Sequence, residues 1–175
     1  MNAKINKTIK LDHPVDAVWE LISDPYKVVS CVPGASLTSQ ESENDYKGQV
    51  EFKLGPVKSK FDGKVTFLSK DPNLKKMALK GTGLDSKGKG SAEMSMDAEV
   101  KAGTTGTEVS LNMDVSITGM LAQFGSRLIN DVSSQLLDQF ADNLKAKLSG
   151  GEVDTSIHTG SIVGSVVKGL FGGKS

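Results

Sequence analysis

GMLAQFGSRLINDVSSQLLDQFADNLKAKL, from Gly119 to Leu148, carries apolar residues at a spacing of four: Phe124, Leu128, Val132, Leu136, Phe140, Leu144 and Leu148, with Leu121, Ile129 and Leu137 beside them. On a helix these positions merge into one stripe, because residues three and four apart stand on the same face. The spacing predicts an amphipathic helix over nearly all of this stretch. Such a helix must cover an apolar surface, and the preceding residues supply one.

From Tyr46 to Ile117 the period is two. Tyr46, Gly48, Val50, Phe52 and Leu54 alternate with Lys47, Gln49, Glu51 and Lys53; after Gly55-Pro56 the alternation resumes at Val57, Ser59, Phe61, Gly63, Val65 and Phe67. A weaker strand holds Met77 and Leu79, and two clean ones follow, from Gly90 through Met94 and Met96 to Val100 and from Thr107 through Met113 to Ile117. GTGLDSKGKG and KAGTTGT read as hairpins. Strands with one apolar and one polar face predict an antiparallel sheet covered on one side.

Before the sheet, Ile5, Lys7, Ile9 and Leu11 alternate as a first strand. DHPVDAVWELIS then places Val15, Val18, Trp19 and Ile22 on one side of a short helix, with Pro14 in its first turn and Asp12 or His13 as cap. A second short helix or turn covers DPYKVVSCV and stops at Pro33-Gly34. The sum is an α+β helix-grip architecture: a curved antiparallel sheet of about six to seven strands wrapped on a long C-terminal helix, with two short helices after strand 1.

Basic and acidic residues balance at 21 each and aromatics are 5% of the chain, so no global field or stacking surface points to nucleic acid. The single cysteine, Cys31, excludes an internal disulfide, and MNAKINKTIKLD lacks the apolar core of a secretory signal, which predicts a cytoplasmic protein. No run of about twenty apolar residues is available to cross a bilayer. GLDSKGKG, Gly83 to Gly90, nearly matches a phosphate-binding loop, but Gly90 replaces the required hydroxyl and strands flank it.

The predicted inner face mixes Val and Phe with Gly48, Ser59, Gly63, Gly90, Ala92 and Ala98 and with Met94, Met96 and Met113. Small residues and adaptable methionines under a long helix suggest a hollow; alternatively the glycines only let the sheet bend. Glu51, Asp62, Glu93, Asp97, Glu99, Glu108 and Asp114 fall on the wet face, so the strands bring no carboxylate inside. His13 and His158 read as a helix-start and a linker residue, and no cluster has metal-ligand spacing. Catalytic and metal residues are therefore expected to be absent. The expected ligand-facing set is Val29, Val32, Phe52, Leu54, Phe61, Phe67, Met94, Met96, Met113, Leu121, Phe124 and Leu128.

Five stretches carry a family resemblance: DPYKVVSCVPGA (24–35), YKGQVEFKLGPVKSKFDG (46–63), GTGLDSKGKGSA (81–92), GTEV (106–109) and GMLAQFGSRL (119–128). Together they resemble the CoxG subunit of carbon monoxide dehydrogenase, a family of the START-like (SRPBCC) helix-grip superfamily. The resemblance implies a non-enzymatic carrier and adaptor. It would hold an isoprenoid quinone such as menaquinone, without a covalent cofactor, and link a molybdenum hydroxylase of the carbon monoxide dehydrogenase type to the inner face of the cytoplasmic membrane. No catalytic residue comes with the pattern, and Asp24, Pro25, Cys31, Pro33 and Gly34 match it in a structural role at the mouth of the pocket. An enzyme of the same fold, cyclase- or hydrolase-like, would need polar groups such as Asp24, Tyr26, Tyr46 or Arg127 to converge in the pocket. A structural adaptor would have a filled core.

After a domain at 1–149, residues 150–160 read as a flexible linker and 161–175 as an amphipathic tail. In the tail Ile162, Val163, Val166, Val167, Leu170 and Phe171 form one stripe, expected to touch membrane or a partner protein. Burying six such side chains stabilises by roughly 1.5–3 kcal/mol each, and ordering about a dozen residues costs roughly 1–2 kcal/mol each. The near-balance predicts reversible attachment, with Lys145, Lys147, Lys168 and Lys174 adding attraction to an anionic surface.

Overall fold

The computed structural model describes residues 2–54 and 57–150. The linker from 151 and the tail stripe Ile162, Val163, Val166, Val167, Leu170 and Phe171 lie outside the described residues, as does the side chain of Leu54. Seven antiparallel strands form one sheet: β1 (Asn2–Leu11), β2 (Ala35–Gln40), β3 (Asp45–Leu54), β4 (Val57–Asp71), β5 (Lys76–Asp85), β6 (Gly90–Gly103) and β7 (Gly106–Gly119). Their order in space is β1-β7-β6-β5-β4-β3-β2. Between β1 and β2 come helices α1 (Val15–Ser23) and α2 (Pro25–Val28) and a 3-10 turn, Val29–Cys31; α3 (Gly125–Leu148) follows β7. The helix-grip architecture read from the sequence is present.

Two elements differ from expectation. β2 was not legible, because Leu37 is the one large apolar residue in ASLTSQ and an edge strand with so little buried face has no alternation to read. The long helix is shorter at its start: Met120–Phe124 form a separate 3-10 turn bounded by Gly119 (φ 78°) and Gly125 (φ 87°). A left-handed backbone on both sides stops the α-helix from propagating through the turn, and only glycine enters it without strain.

The register confirms the inner and outer faces predicted for β3, β4, β6 and β7. Tyr46 stands opposite Val65, Gly48 opposite Gly63, Met96 opposite Met113 and Val100 opposite Val109. α1 buries Val18, Leu21 and Ile22 and packs against β6 and β7, with Val15 and Trp19 only half-buried. Its N-cap position is Pro14 without a side-chain cap, so neither Asp12 nor His13 caps it. α3 runs from one end of the sheet to the other, contacting β1 and the Val29–Cys31 turn. Near its start Met120 N donates to Lys89 O; near its end Asn143 Nδ2 donates to Cys31 O, and Lys147 Nζ donates to Ser30 Oγ and Lys27 O. Lys147, expected as a surface cation, is a clamp between α3 and the α2 region.

Candidate ligand cavity

One row of residues crosses the sheet in register: Leu37, Gly48, Gly63, Gly83, Ala92 and Ile117. A Cβ at Gly48 would stand 2.5 Å from Ser36 O and one at Gly63 would stand 2.6 Å from Thr82 O, both backbone atoms of the neighbouring strand. At these two positions the neighbouring backbone comes too close for any side chain. At Gly81 and Gly83 a Cβ would instead meet Met94 Cε and Phe61 Cδ2, each at 3.3 Å, so side chains occupy that space. The glycines therefore bend the sheet around the helix and admit close neighbours. They do not by themselves open a void.

The accessibility of the inner face varies along the grip. At the β6–β7 hairpin end Ala98, Val100, Val109 and Leu111 are sealed with Ile9, Leu11, Val18 and Leu144. At the opposite end Phe61, Ile117 and Leu121 are also buried. Between them, Val65, Met94, Met96, Met113 and Val115 point to the covered face yet keep solvent-accessible surface. On α3, Leu136 and Phe140 belong to the same stripe as the buried Leu137 and Leu144 and are likewise only half-buried. An apolar band thus stays half-buried in the middle of the grip, with buried residues toward each end.

The expected ligand-facing residues divide accordingly. Met94, Met96, Met113, Phe124 and Leu128 are half-buried, as are Phe52, Val29 and Val32. Phe61, Phe67 and Leu121 are buried; Phe61 stacks edge-on with Phe52 at 5.3 Å and Phe67 with Tyr46 at 5.9 Å. Val65, Val115, Leu136 and Phe140 are half-buried on the same side and stand outside the expected set. The helix spacing contained the last two, but only packing reveals which part of a stripe stays unfilled.

Polar groups inside are few and mostly engaged. Asp85 occupies an inward register position opposite Phe61, an exception to the rule that acidic strand residues face water. The amides of Lys89 and Lys87 donate to its Oδ2 at 3.0 Å each, and these bonds, Lys89 foremost, hold its carboxyl below the usual range against the opposing effect of burial. Lys7, in an inward position of β1, pairs with Asp138 of α3. Ser59 Oγ and Gln139 Oε1 are buried with no hydrogen-bond partner among the described residues.

Asp24, Tyr26, Tyr46 and Arg127 do not converge in this band. Asp24 caps α2 by accepting from Tyr26 N at 2.9 Å, and Arg127 is exposed. The two tyrosines share Gln40: Tyr26 Oη donates to Gln40 Oε1 at 2.7 Å, and Gln40 Nε2 donates to Tyr46 Oη at 3.3 Å. Tyr46 Oη also donates to Glu43 O, and burial pushes its pKa up. These hydroxyls tie α2 to β2 and β3. Among the described residues no group of three or more His, Cys, Asp or Glu could hold a metal ion, and no helix is long and apolar enough to cross a membrane. A shallow trough of about 310 Å³ lies largely on the convex face, where Lys4, Lys80, Glu93 and Asp114 alternate in sign; that pattern is a solvated face.

A curved sheet gripping one long helix, with a half-buried apolar band on its inner face, defines a helix-grip protein. The chain belongs to the CoxG family, the CoxG subunit of carbon monoxide dehydrogenase, which matches it over residues 8–149. Among solved structures it is similar to a conserved protein from Geobacillus kaustophilus, with 22% identity, a TM-score of 0.76, and coverage of 86% of this chain and 96% of that one. It is also similar to the Zhui aromatase/cyclase from Streptomyces sp. R1128, with 13% identity, a TM-score of 0.60, and coverage of 87% and 100%. A protein from Rhizobium leguminosarum gives 13% identity, a TM-score of 0.60, and coverage of 86% and 96%. At these identities the likeness is one of fold. No curated protein matches the sequence.

Proposed function

We propose that the protein is a non-enzymatic carrier and adaptor in a carbon monoxide dehydrogenase system. It holds an isoprenoid quinone such as menaquinone in the grip and links a molybdenum hydroxylase to the inner face of the cytoplasmic membrane. The observation that carries this reading is the half-buried apolar band of the inner face, formed by Met94, Met96, Met113, Leu136 and Phe140. Methionine adapts to an irregular guest, and an apolar enclosure with few polar groups suits retention of an oily molecule. Family membership supports the dehydrogenase partner, and the tail stripe from Ile162 to Phe171 supports a second contact with membrane.

The reading is tested by purifying the full chain from its native membranes and extracting it with organic solvent. A stoichiometric quinone is the expected product. Recovery of phospholipid alone, or of no lipid, removes the quinone from the proposal. A cyclase-like reading, suggested by the fold of the aromatase/cyclase, has less support here, because Asp24, Tyr26 and Tyr46 are engaged in holding α2 in place.

A further inference from the structure

Among the described residues the ion pairs are unevenly placed, apart from Lys7 with Asp138 between β1 and α3. Lys27 with Glu20, Lys47 with Glu41, Lys64 with Asp45, Lys75 with Asp16 and Lys76 with Glu99 all lie along α1 and α2 or toward the end of the sheet where β3 and β5 begin. At the other end, where β3 meets β4 and β5 meets β6, stand Lys53, Lys58, Lys60, Lys87 and Lys89. Lys58, Lys60, Lys87 and Lys89 form no ion pair among the described residues; Lys89 Nζ donates to the carbonyl of Lys58 at 3.1 Å, drawing the two hairpins together. Glu51, the register partner of Lys60, is the exposed carboxylate beside them, while the carboxylate of Asp85 is buried and held by the turn amides, with a weaker attraction to the Lys89 ammonium. Asp62, one step further in, accepts from Gln49.

The same end exposes apolar surface. Leu84 is 67% exposed on the convex face, next to Ser86, whose amide donates to Lys60 O. Met120 is 57% exposed, and its amide donates to Lys89 O. Lysines of β4 and of the β5–β6 hairpin thus stand at the same end as two projecting apolar side chains, Leu84 and Met120.

We propose that this hairpin end is a docking face for an anionic phospholipid surface, with Lys58, Lys60, Lys87 and Lys89 meeting the headgroups and Leu84 and Met120 entering the interface. Charge complementarity selects the occupant: an excess of cations is drawn to the negative leaflet, and two isolated apolar side chains suit shallow insertion better than a protein–protein core. The proposal rests on the carrier reading and assigns it an entry side, since the buried Phe61 follows Lys60 in β4 and the buried Leu121 follows Met120 in the turn. It differs from attachment by the tail alone, because it places the folded domain itself on the bilayer.

The test is co-sedimentation of the full chain with vesicles of phosphatidylcholine containing phosphatidylglycerol, compared with phosphatidylcholine alone. Binding to the anionic vesicles that weakens as salt rises is expected. The variant Lys58→Glu, Lys60→Glu, Lys87→Glu, Lys89→Glu should bind about tenfold more weakly or worse, whereas Lys10→Glu with Lys101→Glu at the far end should bind within about twofold of the unaltered chain. Leu84→Ser with Met120→Ser, which keeps every charge, guards against a folding failure of the first variant and should also weaken binding. Equal binding to neutral and anionic vesicles, or unchanged binding by both patch variants, overturns the proposal, as does no vesicle binding by the unaltered chain, the result expected if an acidic protein surface occupies this face. None of these readouts depends on a bound quinone, so failure of the quinone extraction and failure of the docking face remain distinguishable.

Discussion

Asn143 Nδ2 donates to the carbonyl oxygen of Cys31 at 3.0 Å, joining the last turns of α3 to the 3-10 turn that follows α2. Both residues are buried, so this bond fixes where the helix ends over the sheet in a place water does not reach. Burial also raises the pKa of the Cys31 thiol, while Ser30 and Lys147 pull it down more weakly.

Replacing Asn143 with Ala should therefore destabilise the fold by about 1–3 kcal/mol, the cost of leaving a buried acceptor without its donor. Urea denaturation measures the loss. In the native chain Cys31 should react with a thiol reagent only as fast as the protein opens, and the Asn143→Ala variant should react faster in proportion to its lower stability. Rapid labelling of the unaltered protein under native conditions would contradict the packing described for this turn.

The glycine row separates two kinds of substitution. Gly63→Ala forces a methyl against Thr82 O, a backbone atom that moves only if the strand pairing moves, and should cost about 1–3 kcal/mol. Gly81→Ala meets the mobile end of Met94 and should cost less than half as much. Thermal unfolding of the two variants side by side gives the comparison, and equal losses would show that curvature is not what Gly63 serves.

Filling the grip should divide stability from binding. Met113→Phe places a larger side chain in the accessible band, where it should change unfolding free energy by less than about 1.5 kcal/mol because space is available. The variant should retain severalfold less lipid after purification, read as extracted ligand per protein. A strong destabilisation would mean that the band is already full.

Acid should find Asp85. Its carboxyl titrates below the ordinary aspartate value in the folded chain, so its contribution is present above about pH 4 and is lost as pH falls through the depressed native value. Asp85→Asn removes that contribution: the variant should be less stable at neutral pH and should lose less stability than the unaltered chain on acidification below about pH 4. Denaturation midpoints followed from neutral pH to pH 3 provide the test.

Much of the architecture was legible because its signals are local and repeated. The period of two in β3, β4, β6 and β7 and the spacing of four from Phe124 to Leu148 each bury one face, and a face built from five or six residues survives a misplaced one. Where the signal was thin it failed: β2 has Leu37 and little else, and the start of α3 was read through Gly119 and Gly125, whose positive φ no pattern of apolar residues encodes. The inner glycines were legible as small residues but not as to purpose, since curvature at Gly48 and Gly63 and space-sharing at Gly81 and Gly83 differ only in what lies across the strand.

The candidate site was legible in kind. Methionines and phenylalanines on one face of the sheet follow from alternation, because side-chain direction along a strand is set by residue number alone. Three things required the fold: that Met94, Met113, Leu136 and Phe140 stay accessible while Phe61, Phe67 and Leu121 close over, that Asp85 turns inward, and that lysines from separate hairpins gather at one end. Each depends on contacts between residues far apart in the chain, and periodicity assigns a residue to a face without saying what will stand against it.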